Sequence, residues 1–299
     1  MKPRRRCLLR LLAPTALLLW STSAAFTEPD VLIDGLRGPD GLAVASDSTL
    51  YVCEELAGRV LALRNDSLLT VAEGLSHPEG ICCLPDGGLL VTEDVAGGRV
   101  LLLDGSGGME VLAGGIQAPE GVCALPRGDV AVTWSNAQSS GIPFPLRTGI
   151  LAIRQGSVTD LAGLELVYSL SDLACDSAGV IYAGNESSGI LTWNSVLAFR
   201  NGDMEVLCQG LFACEGLGLS PGGAFPIYVA EEDRGYGGRV VSVTSAGEVT
   251  VIADSLGTVE DVAVLPDGSL AVSEDGSGRV LRIYVDAEEG AARAGLRNP

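Results

Sequence analysis

The chain has 299 residues, 47% of them apolar, with 40 glycines, 8 cysteines, 1 histidine and a formal net charge of −19. This composition excludes a disordered chain. The excess of 38 acidic over 19 basic residues also excludes a surface built to hold nucleic acid or anionic membrane.

Residues 1–25 read as a cleavable export signal. Lys2, Arg4, Arg5, Arg6 and Arg10 form a basic start, Leu11 to Trp20 an apolar stretch, and Ser23-Ala24-Ala25 a peptidase site. The apolar stretch is short for a membrane span. "RRCLLR" (Arg5 to Arg10) also loosely fits a twin-arginine signal. The expectation is a secreted or periplasmic/lumenal monomer, free of the membrane after cleavage. The segment carries five basic residues and no acid, so its loss takes the charge to about −24 and removes Lys2, the only lysine. Schiff-base chemistry is thereby excluded.

From Asp30 onward the sequence repeats. "DVLIDGL" (Asp30 to Leu36) comes first. Six units follow, opening at "PDGLAV" (Pro39), "PEGICC" (Pro78), "PEGVCAL" (Pro119), "LSDLACD" (Leu170), "CEGLGLS" (Cys214) and "VEDVAVL" (Val259). Each continues through a Gly-containing turn into a second strand: "LYVCE", "LLVTE", "VAVTW", "IYAGN", "IYVAE" and "LAVSE". Third strands such as "GRVLALR" and "GRVLRIY" follow, then fourth strands such as "LLTVAEGL" and "MEVLAGGI". Five fourth strands lie among the six units, and "DVLIDGL" has the pattern of the sixth. An N-terminal strand that completes the last sheet predicts an all-β, six-bladed β-propeller of four-stranded blades over residues 26–286, with a tail at 287–299.

A propeller places the loop entering each first strand and the loop leaving each second strand on one face. Two rings of residues result. The first is Asp40, Glu79, Glu120, Ser171, Glu215 and Glu260, with Asp172 and Asp261 replacing the recurrent glycine in two units. The second is Glu54, Glu93, Trp134, Asn185, Glu231 and Glu274. Converging Asp, Glu and Asn without His or Cys suit a hard cation such as Ca²⁺ rather than zinc or copper. His77, the only histidine, precedes a first-ring Pro-Glu-Gly and is a candidate general base. The insertion from Trp134 to Gly149 offers Trp134 and Phe144 as an apolar pocket wall. "EEDRGYGG" offers Glu231, Arg234 and Tyr236 to a substrate, with Asn185 beside them. Asn65-Asp66-Ser67 and Asn185-Glu186-Ser187 fit the N-glycosylation pattern. Cys208 and Cys214 flank a turn, and their spacing leaves a disulfide open.

The units "PEGICCLPDGGLLVTEDVAGGRVLLLD" and "VEDVAVLPDGSLAVSEDGSGRVLRIY" resemble NHL repeats and the senescence marker protein/gluconolactonase/strictosidine synthase-like superfamily, over about Asp30 to Val285. The resemblance implies a six-bladed propeller with Ca²⁺ in the central channel and hydrolysis of lactones or organophosphate esters. By position it implies Asp40, Glu79, Glu120, Asp172, Glu215 and Glu260 as ligands. No Asn occupies the first ring, and one histidine cannot supply the His pair of paraoxonase-like relatives. The sequence therefore leads to an exported calcium-dependent lactone or ester hydrolase, with Glu120, Glu215 or His77 as base and a small-molecule substrate. The alternative is a non-catalytic NHL-type propeller that binds a ligand or protein across its channel face.

Overall fold

A computed structural model describes residues 28–105, 107–136, 147–165, 169–186, 194–220, 223–232 and 237–285. The first strand is β1 (Asp30–Ile33). Blade 1 is β2 (Pro39–Val44), β3 (Leu50–Glu54), β4 (Arg59–Arg64) and β5 (Ser67–Glu73). Blade 2 is β6 (Pro78–Cys83), β7 (Leu89–Glu93), β8 (Ala96–Leu103) and β9 (Met109–Gln117). Blade 3 is β10 (Val122–Ala124), β11 (Val130–Ser135), β12 (Arg147–Arg154) and β13 (Ser157–Glu165). Blade 4 is β14 (Ser169–Cys175), β15 (Ile181–Glu186), β16 (Asn194–Arg200) and β17 (Asp203–Leu211). Blade 5 is β18 (Ala213–Ser220), β19 (Ala224–Glu232), β20 (Gly238–Val243) and β21 (Val249–Leu256). Blade 6 is β22 (Val259–Val264), β23 (Leu270–Glu274) and β24 (Arg279–Ile283).

Each sheet is an antiparallel meander, and β1 completes the sixth as its outer strand, pairing Asp30 with Arg282 and Val31 with Leu281. The predicted closure is therefore present. The inner strands pack side by side around the axis, and contact between β22 and β2 closes the ring.

Strand alternation explains the core. Successive side chains on one strand face opposite neighbouring blades, so every blade interface receives an apolar set from both sides. Val52 packs toward blade 6 and Cys53 toward blade 2. Leu90 packs toward blade 3, while Leu89 and Val91 pack toward blade 1. Six buried clusters result, one per interface. Cys208 and Cys214 both belong to the cluster between blades 4 and 5, where they are free thiols.

The second ring has a structural task. Glu54, Glu93, Glu231 and Glu274 are buried at the ends of their strands. Each forms an ion pair with an arginine in the first half of the third strand: Arg59, Arg99, Arg239 and Arg279. Each also accepts a backbone N–H from the loop that enters its own blade. The donors are Arg37 (2.8 Å), Ser76 (2.9 Å), Phe212 and Gly257 (2.6 Å). Four blades thus carry the same clamp, in which one carboxylate ties three segments together. Blade 3 has Trp134 opposite Gly149, and a β-carbon on Gly149 would stand 2.9 Å from the indole nitrogen. Blade 4 has Asn185 opposite Ser195, joined by a 3.1 Å hydrogen bond. Acid and base are replaced together.

Losing one partner of such a pair leaves a buried charge, which costs more than the pair itself contributes. Arg239→Ala is expected to lower unfolding stability by about 3 kcal/mol in urea denaturation. Adding Glu231→Gln to that variant should recover a large part of the loss. A single-variant cost near the ~0.5 kcal/mol of an exposed pair would contradict the clamp.

Candidate functional site

The residues of the first ring stand where each inner strand begins. The pairing between first and second strands is interrupted there, between Pro39 and Leu42, Pro78 and Ile81, Leu170 and Leu173, Cys214 and Leu217, and Val259 and Val262. These bulges turn the intervening residues out of the ladder. The freed amides are taken by hydroxyls on the second strand. Gly80 N donates to Thr92 Oγ1 and Gly121 N to Thr133 Oγ1, both at 2.8 Å, and Asp261 N donates to Ser273 Oγ at 2.9 Å. Thr92 and Thr133 in turn donate to carbonyl oxygens of the next blade, Glu120 and Ser171. The inner strands approach so closely that a β-carbon on Gly41 would lie 2.0 Å from the Glu79 carbonyl oxygen. Glycine is a steric requirement at that position.

The outcome is a cavity of about 220 Å³ lined by eight carboxyl groups: Asp40, Glu79, Asp94, Glu120, Asp172, Glu215, Glu260 and Asp261. All six residues implied as ligands line it, together with two more. Among the described residues, no basic side chain lines it. Asp172 and Asp261 act as cross-ties at its floor. Asp172 Oδ2 accepts from Leu217 N at 3.1 Å and Asp261 Oδ2 from Leu42 N at 2.7 Å, each reaching the next blade. Beyond them, strands β2, β18 and β22 turn apolar and line a second cavity with Leu42, Val44, Leu217, Leu219, Val262 and Val264.

Burial dominates the electrostatics. It holds Asp40 well above the usual carboxylate range, with further repulsion from Glu260 and Glu55. Burial also raises Glu79 strongly, and Asp40 adds to it. Asp261 is raised by burial and then by Asp172. Asp172 is pushed up to about 7 by burial, against the N–H groups of Leu173 and Leu217 that hold it down. Asp94 is raised by burial too, opposed by its hydrogen bond with Glu79 and by His77. Without a cation the cavity retains protons at pH values where free carboxylates have lost them.

The other expected site residues lie elsewhere. His77 is half exposed at the rim, with Nδ1 2.6 Å from Glu55 Oε1, and is not part of the cavity lining. Glu231 is committed to its clamp with Arg239. Trp134 packs against the cluster between blades 2 and 3, and its indole N–H has no partner among the described residues. Asn185 is 4% exposed, too buried to be glycosylated in the folded chain, whereas Asn65 lies on an exposed hairpin turn. Phe144, Arg234 and Tyr236 lie outside the described residues, as do the export signal and the tail.

Sequence reading missed a third acidic set, the residue after three of the four clamp glutamates. Asp94 lines the cavity, and Glu55 and Asp275 stand near it, since Glu55 raises the pKa of both Asp40 and Asp275. The doublets Glu54-Glu55, Glu93-Asp94 and Glu274-Asp275 carry the signal. Their first acid clamps and their second faces the rim.

The donor set is oxygen only, which suits a hard cation. As the side chains stand, no three His, Cys, Asp or Glu converge tightly enough to hold an ion among the described residues.

No family model and no curated protein matches the chain. Solved structures match it closely in fold. The gluconolactonase XC5397 from Xanthomonas campestris superposes with a TM-score of 0.70 at 16% identity, over 87% of this chain and 91% of that one. Regucalcin from Agrobacterium tumefaciens, a calcium-binding protein, gives 0.64 at 16%, over 86% and 93%. A PQQ-bound aldose sugar dehydrogenase from Streptomyces coelicolor gives 0.60 at 15%, over 85% and 96%. The chain therefore has the six-bladed propeller fold of the gluconolactonase and regucalcin structures, a fold that also carries a redox enzyme.

The raised carboxyl groups link stability to pH in a definite direction. The native state holds protons that the unfolded chain, with carboxyl pKa values of about 4, has released. This stability is present below about pH 4 and is lost as pH rises through the folded values, about 7 for Asp172. In chelator, the melting temperature should fall steadily from pH 5 to pH 8. A melting temperature that rises over this interval would contradict the buried acidic cavity.

Proposed function

We propose that the protein is a divalent-cation-dependent hydrolase of lactones or esters, with the acidic cavity as its site and Ca²⁺ as the cation. The observation that carries this reading is the convergence of eight carboxyl groups on one cavity. Asp40, Glu79, Glu120, Asp172, Glu215 and Glu260 would hold the ion. A bound cation of this kind polarises a carbonyl and stabilises the oxyanion formed when water adds to it.

The chain's own groups supply the rest. Whichever of Glu120 and Glu215 the cation engages less would take the proton from water, since the expected mature chain has no lysine and its one histidine is paired with Glu55 at the rim. The ring of bulges fixes these groups on strand ends rather than on long loops, which keeps their separation constant through the reaction. By the sequence of residues 1–25 we also place the protein outside the cytoplasm, where millimolar Ca²⁺ suits a site of modest affinity.

Metal analysis and melting in EDTA and in Ca²⁺ test the cation. At 100-fold excess over its Kd, a bound ion adds about 2.7 kcal/mol, a rise of roughly 5–10 °C for a domain of this size. Glu120→Gln with Glu215→Gln should weaken Ca²⁺ at least ~10-fold and lower turnover on lactones and aryl esters by ~100-fold or more. Unchanged binding and turnover in that double variant would sink the assignment. Calcium binding with no hydrolysis across the panel would favour the non-catalytic propeller.

A further inference from the structure

The six blade interfaces repeat one contact halfway along the inner strands. A small residue on one blade meets the residue one step further along the inner strand of the next. The pairs are Ala43 with Cys83, Cys82 with Ala124, Ala174 with Leu219, and Ala263 with Val44. Between blades 5 and 6 the small residue is Gly218, packed against the backbone of Val262 and Ala263. Between blades 3 and 4 the pair is Cys123 and Cys175. Among the described residues this is the one interface of the ring that sets two thiols against each other at this level. Register supports the match, because Cys123 pairs with Ala131 as Cys82 pairs with Leu90, and Cys175 pairs with Ile181 as Cys83 pairs with Leu89.

We propose that Cys123 and Cys175 form an oxidisable dithiol, a modification site at which small disulfides of the glutathione type install a cross-link between blades 3 and 4. The two thiols stand close enough to shift each other, Cys175 downward and Cys123 upward, while Cys175 Sγ donates to the Asp176 carbonyl oxygen at 3.3 Å. Cys175 is the more accessible of the two, half-buried where Cys123 is 4% exposed. It therefore serves as the attacking thiolate. Its sulfur attacks one sulfur of the small disulfide and expels the other half as a thiolate. Cys123 then attacks the Cys175 sulfur of the mixed disulfide, gives up its proton and expels the second half as a thiol. Two protein thiols lose two electrons and two protons, and one small disulfide becomes two thiols. The oxidising compartment expected from residues 1–25 supplies such disulfides.

The test uses the full chain and is independent of the hydrolase reading. The protein is oxidised with glutathione disulfide and denatured, its remaining thiols are alkylated with N-ethylmaleimide, and its peptides are mapped by mass. A Cys123–Cys175 linkage is expected, reversed by dithiothreitol and accompanied by a rise in Tm of roughly 5 °C or more. Cys123→Ala and Cys175→Ala should each abolish linkage and shift, and Cys82→Ala should leave both intact. Alanine occupies the equivalent positions at Ala43, Ala174 and Ala263 and at Ala124, so these variants are expected to fold. Full alkylation of Cys123 and Cys175 after oxidation would overturn the proposal. So would a linkage mapped to other cysteines, or glutathione retained on Cys175 without transfer.

Discussion

The close approach of six inner strands around one axis governs the molecule. At Gly41 the neighbouring carbonyl leaves no room for a β-carbon, and Gly80 and Gly121 are comparably crowded. Strands this close cannot begin in regular register with their own blades. They begin in bulges, and hydroxyls such as Thr92 and Thr133 pick up the amides that the bulges release. Each bulge carries one side chain toward the axis, and in most blades that side chain is acidic. The cavity and its charge thus follow from packing the strands, given a carboxylate just before each glycine.

The same residue type meets two fates a few ångströms apart. The clamp glutamates are buried, yet Glu93 and Glu274 have lowered pKa values, because an arginine and backbone N–H groups receive their charge. In the cavity, Asp40 and Glu79 have raised pKa values, because burial and the neighbouring carboxylates both oppose their charge. Pairing separates the two groups, and burial alone does not. A buried acid with its own base is a fastener. Acids that crowd one another hold either protons or a cation, and exchange between those two states is what a metal-dependent site requires.

Much of this was legible in the sequence, for identifiable reasons. Period and strand count gave the blades, and the surplus fourth strand at Asp30 gave the closure, because both rest on backbone pairing that any propeller must satisfy. The first ring was legible because Pro-Asp-Gly and Pro-Glu-Gly mark where a tight turn releases a side chain. The task of the second ring was not. Seeing it needed Glu231 to be read together with Arg239, a partner across the hairpin, whereas a linear scan treats each strand end alone. Asp94 was hidden by standing next to Glu93, since a doublet of acids reads as a single polar strand end. His77, which sequence places beside Glu79, is held at the rim by Glu55 and acts on the cavity only from there, through Asp94.

The clamp is missing from two consecutive blades, and this divides the ring unequally. Four blades have their entry loops tied to their second and third strands by a charged knot, while blades 3 and 4 rely on Trp134 beside Gly149 and on Asn185 beside Ser195. Sub-global opening of a closed ring begins at its least fastened sector. Amide exchange would therefore start on that arc, and solvent would reach the channel from its flank as well as along its axis. The paired thiols of Cys123 and Cys175 span the seam in the middle of that arc.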